Sequence, residues 1–269
     1  MIAGEERIRA AFAAAKDEGR AALMPYMMAG FPDRDSALAV AAAYVDVGAD
    51  LIELGVPFSD PLADGPTIHS ADTQALAEGA TLRTALEVCE AVADQVPVVL
   101  MVYVNMILAH GGAAEFTRLA RAAGAAGAIV PDLPLGEAED IREAFTEAGL
   151  AMVPLIAPTT SAARRGEIAK VARGFIYLVS TTGTTGERGE LPPALAKLVT
   201  DTKADAGETP VAVGFGIGTA EQAAAVGEIA DGVIIGSRLV RAAGEGATPA
   251  ESADNVARFL AETRVSLAG

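Results

Sequence analysis

Eight short apolar runs, each followed by a longer alanine-rich stretch of helical period, divide this sequence from end to end. The runs are Ala22–Ala29, Leu51–Val56, Val98–Tyr103, Ala126–Val130, Met152–Ile156, Phe175–Ser180, Val211–Gly214 and Asp231–Gly236. Each spans four to eight residues and is bounded by Gly, Pro or Asp, the pattern of a strand covered on both faces. The helical stretches are Arg34–Val47, Ser70–Ala93, Ala113–Ala123, Glu137–Ala148, Ser161–Ala172, Pro193–Thr202, Thr219–Gly227 and Pro249–Ala261. Thr219 and Gln222 have capping-box spacing, and Gly48, Gly124 and Gly149 stand where helices should stop. Strand and helix alternating eight times over about 250 residues predict a parallel (β/α)8 barrel, the TIM-type α/β fold. One domain over residues 1–269 is the simplest expectation. An open doubly wound sheet is the other arrangement that such alternation permits. Glu6–Gly19 is expected as an extra N-terminal helix before the barrel, and the wide gap between the second and third runs should hold extra structure.

Charge narrows the function. The chain carries 20 Lys+Arg against 36 Asp+Glu, a net charge of -16, which disfavours nucleic acid and anionic membranes as partners. Its hydrophobic content of 51% and charged content of 21% are those of a packed globular chain. Cys89 is the one cysteine, so no intramolecular disulfide forms and a reducing compartment is expected. Met1–Arg20 carries Glu5, Glu6, Arg7 and Arg9 and reads neither as a signal peptide nor as a membrane helix. No membrane span and a cytoplasmic location are therefore expected.

In a parallel barrel the chemistry belongs at the C-terminal ends of the strands. Alternation places Leu51, Glu53 and Gly55 on one face of the second run and Ile52, Leu54 and Val56 on the other, which suits packing against helices. Glu53 then points into the barrel, where burial raises a carboxyl pKa. It is either a general acid/base or a structural glutamate in an internal salt bridge. The following loop, Pro57–Pro66, is stiffened by prolines and carries Asp60 and Asp64, which are turn formers or functional groups folded over the mouth. Thr181–Gly189 is a Gly/Thr-rich loop, a lid or a plain surface loop. The glycines after the seventh run (Gly214, Gly216, Gly218) and after the eighth (Gly236, with Ser237) suit a phosphate held by backbone N–H groups. A short helix at Arg238–Ala243 would support that phosphate, although turn glycines would look the same.

Several chemistries are disfavoured. Lys16, Lys170, Lys197 and Lys203 fall on no strand, which removes a barrel lysine for Schiff-base chemistry. His69, His110 and Cys89 lie too far apart in the sequence to suggest a metal site. No nucleophile-triad motif, dinucleotide fingerprint or Walker loop is present. Carboxylate acid/base chemistry on a phosphorylated substrate survives.

The run Leu51-Ile52-Glu53-Leu54-Gly55-Val56-Pro57-Phe58-Ser59-Asp60-Pro61-Leu62-Ala63-Asp64-Gly65-Pro66 resembles the signature of the tryptophan synthase alpha chain family. Tyr103-Val104-Asn105, Pro131-Asp132-Leu133-Pro134, Tyr177-Leu178-Val179-Ser180, Gly183-Thr184-Thr185-Gly186, Gly214-Phe215-Gly216-Ile217 and Gly236-Ser237 extend the resemblance over nearly the whole chain. It implies a lyase that cleaves indole-3-glycerol phosphate to indole and D-glyceraldehyde 3-phosphate. By the same resemblance Glu53 is the acid/base and Asp64 meets the indole nitrogen. Tyr26 matches an aromatic position beside the substrate, Phe215 another at its indole, and Tyr177 a residue near its glycerol. Gly186, Gly216, Gly236 and Ser237 match the phosphate site, and Thr185 matches a lid residue that reaches the aspartate on closure. The resemblance further implies no cofactor in this chain and an alpha2-beta2 complex. In that complex the partner beta chain holds pyridoxal phosphate and receives indole for L-tryptophan synthesis. Asp60, Pro61, Asn105 and Asp132 match positions at that partner interface. The chain departs from the family at Met28, His69 and Thr181. Another phosphosugar barrel enzyme, a non-catalytic activating subunit and a stand-alone lyase are the competing readings.

Overall fold

The computed structural model describes residues 3–109, 111–179, 194–214 and 216–269. Its strands are β1 (Ala22–Met28), β2 (Ile52–Gly55), β3 (Val98–Met101), β4 (Gly127–Ile129), β5 (Ala151–Val153), β6 (Leu155–Ile156), β7 (Ile176–Val179), β8 (Val211–Gly214) and β9 (Gly232–Ile235). The helices are α1 (Gly4–Asp17), α2 (Arg34–Asp46), α3 (Pro66–Ala77), α4 (Leu82–Val92), α5 (Val104–Ala109) and α6 (Gly112–Ala122). They continue with α7 (Glu139–Glu147), α8 (Ala162–Val171), α9 (Leu195–Ala206), α10 (Ala220–Gly227), α11 (Ser237–Gly244) and α12 (Pro249–Ala268).

All recorded pairings are parallel, in the order β5-β4-β3-β2-β1-β9-β8-β7-β6. The two ends of that order, β5 and β6, are one continuous segment, so the sheet curls into a nearly closed barrel. The expected fifth strand is this segment, divided at Pro154. Proline has no N–H to give to a ladder. Residues before it pair with β4 through Ile129↔Val153, and residues after it pair with β7 through Leu155↔Tyr177. The Pro154 carbonyl accepts from Tyr177 N–H at 3.0 Å, which carries the ladder across the break. The open doubly wound alternative is thereby displaced.

Two apolar layers follow from strand alternation. Ile52, Leu54 and Val56 join the layer between strands and helices, and Leu51 joins Met24, Tyr26, Val99, Tyr177 and Ala212 inside the barrel. Ile8 and Phe12 of α1 belong to the inner cluster, with Phe12 5.6 Å from Phe175 between ring centroids. The extra N-terminal helix thus covers the N-terminal end of the barrel and leaves the chemistry to the opposite mouth. Burying each large side chain of this kind contributes about 1.5–3 kcal/mol.

The single helix expected at Ser70–Ala93 is two helices. Gly79 adopts φ +82, a left-handed conformation that ends α3, and the Thr81 N–H donates to Thr84 Oγ1 at 3.1 Å to start α4. Other boundaries follow local capping. Asp33 accepts from Ser36 N–H at 2.9 Å at the start of α2. Thr219 accepts from Gln222 N–H at 3.2 Å at the start of α10. The return bond of that expected capping box goes one residue upstream, with Gln222 Oε1 accepting from Gly218 N–H at 2.8 Å. The C-terminal helix runs to Ala268, past the expected end at Ala261, and packs against α2, α10 and α11. Among the described residues no helix is long and apolar enough to cross a membrane.

Candidate active site

Four neighbouring strands, β9, β1, β2 and β3, bring the central groups together. Tyr26 on β1 is in register with Glu53 on β2, and both project into the barrel. Glu53 is 1% exposed, and its Oε2 has no hydrogen-bond partner among the described residues. No salt bridge to Glu53 is formed among those residues. Burial, reinforced by the negative charge of Asp64, pushes the Glu53 carboxyl up to about 8. At neutral pH it holds a proton to give.

Room for the aromatic hydroxyls is made by two glycines at strand ends. A Cβ on Gly55, the last residue of β2, would stand 2.2 Å from the Tyr26 hydroxyl. A Cβ on Gly214, the last residue of β8, would stand 2.2 Å from the Tyr177 hydroxyl. Both tyrosines are buried, and the Glu53 and Asp64 charges act on both.

The loop after β2 folds back so that Asp64 lies over this mouth. Asp64 Oδ2 accepts from the Tyr103 hydroxyl at 2.8 Å, and the same hydroxyl accepts from Ala63 N–H at 3.0 Å. Burial raises the Asp64 carboxyl, while the Tyr103 bond and the charge of His69 oppose that rise. Tyr103 stacks on Phe58 with centroids 5.1 Å apart. Phe58 N–H in turn donates to Asp72 Oδ1 at 3.0 Å. Asp64 is therefore a held group and more than a turn former.

Sequence reasoning gave no role to Tyr103, quoted only within the run Val98–Tyr103 and the motif Tyr103-Val104-Asn105, and did not name Asp72. Tyr103 sits two residues past the end of β3, in the strand-end region where barrel chemistry gathers. Asp72 was legible as an acid on the apolar stripe of α3, between Ile68 and Ala75, all three of them buried. Two of the three departures fall nearby: Met28 is buried in the inner cluster, and His69 is exposed on α3.

The glycine-bearing ends of β8 and β9 lie side by side, since these strands pair. Gly216 has φ +86, a conformation natural only to glycine. Gly236 caps α11, whose backbone bonds begin with Leu239 and Val240 N–H groups donating to Gly236 O. The Ser237 and Arg238 N–H groups therefore stand at the positive end of the helix with no helical carbonyl before them. The Arg238 guanidinium lies 4.9 Å from the Phe259 ring centroid, so what its residue offers at the helix start is main chain. Gly218 N–H is already taken by Gln222.

Thr181, Thr185, Gly186 and Phe215 lie outside the described residues, as does the rest of the loop Thr181–Gly189. All four lysines are on outer helices: Lys16 on α1, Lys170 on α8, and Lys197 and Lys203 on α9. Among the described residues no group of three or more His, Cys, Asp or Glu side chains is placed to hold a metal.

Asp60, Pro61, Asn105 and Asp132 fall on the rim formed by the segments after β2, β3 and β4. Asp60 is exposed and accepts from Ser59 Oγ at 2.5 Å, and Asn105 is exposed on α5. Asp132 Oδ1 accepts from Val104 N–H at 2.9 Å, which caps α5 and ties two of these segments together. Leu62, 81% exposed, stands in the same loop as Asp60.

Comparison with known proteins places this geometry in context. The sequence profile described as Tryptophan synthase alpha chain matches residues 12–267. The tryptophan synthase alpha chain of Synechococcus elongatus is 48% identical over 232 residues, covering 85% of this chain and 86% of the relative. That of Deinococcus radiodurans is 42% identical over 261 residues, covering 94% of each. The tryptophan synthase of Saccharomyces cerevisiae is 42% identical over 243 residues, and there the chain spans only 34% of the relative's length. Among solved structures, a Mycobacterium tuberculosis tryptophan synthase chain superposes with a TM-score of 0.89 at 36% identity, covering 97% of this chain and 98% of that one. The tryptophan synthase subunit alpha of Legionella pneumophila gives 0.86 at 34% identity, covering 97% and 98%.

Proposed function

This chain belongs to the tryptophan synthase alpha chain family, and we propose that Glu53 and Asp64 carry its reaction. That reaction is the cleavage of indole-3-glycerol phosphate to indole and D-glyceraldehyde 3-phosphate, and the chain is a lyase. The observation that carries the assignment is the buried Glu53 carboxyl, held near 8 at the barrel mouth beside the half-buried Asp64.

Glu53 protonates indole carbon 3, and the positive charge that results spreads to the ring nitrogen. Anionic Asp64, oriented by Tyr103, accepts from the nitrogen N–H and stabilises that charge. The Glu53 carboxylate then takes the proton of the side-chain hydroxyl. The bond between indole and glycerol breaks, its electron pair returns to the ring, and the hydroxyl carbon becomes the aldehyde. Glu53 ends protonated, ready for the next turnover. Proton transfer of this kind is worth roughly 10²–10⁴-fold. Tyr26 and Tyr177 line the substrate cavity. Gly216, Gly236 and Ser237 hold the phosphate through main-chain groups, where the α11 dipole contributes about 0.3–1 kcal/mol. Thr185, Gly186 and Phe215 complete the site.

The partner is a tryptophan synthase beta chain, in an alpha2-beta2 complex that docks over Asp60, Pro61, Asn105 and Asp132. Indole passes to that chain, which holds pyridoxal phosphate, while this chain needs no cofactor of its own. The location is cytoplasmic and the chain is one barrel domain. The test is cleavage of indole-3-glycerol phosphate by the purified chain, with and without a beta chain, beside Glu53→Gln. Weak activity alone, stimulation by beta and a dead variant are expected. A Glu53→Gln variant that turns over normally refutes the role of Glu53, and full activity without stimulation by beta refutes the partnership.

A further inference from the structure

We propose that Asp72 is a positioning residue for this reaction: from beneath the loop that follows β2 it holds the start of that loop and, through Phe58 and Tyr103, sets where the Asp64 carboxylate stands. The inference rests on the assignment of Asp64 as the anion at the indole nitrogen.

Asp72 lies on α3, 2% exposed, beside Ile68, Ala71 and Ala75, which join the inner cluster of the barrel. Its Oδ1 accepts from Phe58 N–H at 3.0 Å, fourteen residues back along the chain. Phe58 is stacked at 28° on Tyr103, and the Tyr103 hydroxyl joins Ala63 N–H to Asp64 Oδ2. Both ends of the loop are therefore tied to one tyrosine, and Asp72 anchors the end that carries the ring. Moving Phe58 shifts the surface against which Tyr103 lies, and Tyr103 is the group that aims Asp64.

The carboxyl is an expensive way to fill this position. Its Oδ2 is buried and has no hydrogen-bond partner among the described residues. Burial, with the charge of Asp64 added, pushes it up to about 7 against the opposing pull of the Phe58 N–H. The groups that interact electrostatically with it are Asp64 on the loop and the Tyr26 and Tyr103 hydroxyls on β1 and after β3. An apolar side chain would avoid the cost of a third acid here and would leave the Phe58 amide without its acceptor.

The test uses the full chain with a beta chain, assayed for indole-3-glycerol phosphate cleavage, with folding followed by circular dichroism and melting temperature. Asp72→Ala is expected to lower kcat by about 10- to 100-fold with little change in KM, the scale of a displaced reacting group. Asp72→Asn keeps the acceptor for Phe58 N–H and should restore most of the activity. Asp72→Ala combined with Tyr103→Phe should be no worse than the poorer single variant. Should Asp72→Ala fail to fold, Phe58→Leu breaks the same chain of contacts above an intact Asp72, and the same loss of kcat is expected. A lowered melting temperature with unchanged kcat overturns the proposal, and so does an Asp72→Asn as poor as Asp72→Ala. Asp64→Asn separates the two assignments. If it is inactive while Asp72→Ala is normal, only Asp72 has been misassigned; if it is fully active, the role of Asp64 itself is wrong.

Discussion

Tyr103 donates its hydroxyl proton to Asp64 at 2.8 Å while the same oxygen accepts the Ala63 amide at 3.0 Å. One phenol thus satisfies a carboxylate and clamps the loop that carries it. The bond favours the ionised form of Asp64 in a place where burial works against it. An anion is what the proposed mechanism needs there.

Tyr103→Phe should therefore impair catalysis more than folding. A hydrogen bond to a charged group is worth about 1.5–3 kcal/mol, so kcat/KM is expected to fall roughly 10- to 100-fold. Removing the donor also raises the Asp64 carboxyl further, so the acidic limb of the pH–rate profile should move to higher pH. An unchanged limb in steady-state assays over a pH series would separate Tyr103 from Asp64.

The wild-type profile itself is expected to be bell-shaped. Asp64 must be ionised and Glu53 protonated at the outset, and both carboxyls are raised by burial. Activity should rise with pH as Asp64 loses its proton and fall again near pH 8 as Glu53 loses its own. Because Asp72 titrates in the same region, the profile should be measured in Asp72→Asn as well, where the Glu53 limb is expected to persist.

Glu53→Gln should lose turnover and gain stability, and the gain should depend on pH. The folded carboxyl sits near 8 against 4.5 for the free group, so folding retains a proton that the unfolded chain releases. The wild type loses stability as pH climbs from about 4.5 to about 8, and the loss is constant above that. The variant escapes it. Its advantage in thermal denaturation should be negligible at pH 4 and reach the order of a few kcal/mol at pH 9. Equal advantage at both pH values would contradict the burial of an ionisable Glu53.

Gly55→Ala drives a methyl group to 2.2 Å from the Tyr26 hydroxyl. Overpacking of this kind costs about 1–3 kcal/mol. Adding Tyr26→Phe removes the nearest atom and leaves a ring carbon 2.9 Å away, so the double variant should recover part of the lost melting temperature. Strict additivity of the two substitutions would place Tyr26 elsewhere.

Gly236→Asp puts a negative charge at the start of α11, where the phosphate is proposed to lie. Glycerol 3-phosphate should raise the melting temperature of the wild type and do so much less for the variant. Equal shifts would move the phosphate to another loop.

Much of the site was legible because strand alternation is a local rule. Once Leu51–Val56 reads as a strand, Glu53 must share a face with Leu51, and an acid on the inner face of a barrel is conspicuous. The glycines at the ends of β8 and β9 were visible in the same way, and the resemblance supplied Asp64. Pro154 was also plain in the sequence, yet its consequence was not. A missing N–H becomes a boundary between two pairings only when the strands on either side are known. Gly79 similarly divided what periodicity joined, because Ala-rich stretches on either side keep the same period through it.

Periodicity, capping residues and glycine positions depend on near neighbours, so the sequence alone determined the barrel, its covering N-terminal helix and the inward direction of Glu53. Contacts between segments far apart in the chain depend on how the barrel closes. Only the tertiary structure decided that Tyr103 holds Asp64 across thirty-nine residues and that Asp72 holds the loop from below. It also decided that Arg238 turns away from the helix start toward Phe259. Each of these reflects a buried or half-buried polar group taking the partner that the fold brings within reach, and no pattern of spacing encodes which partner that will be.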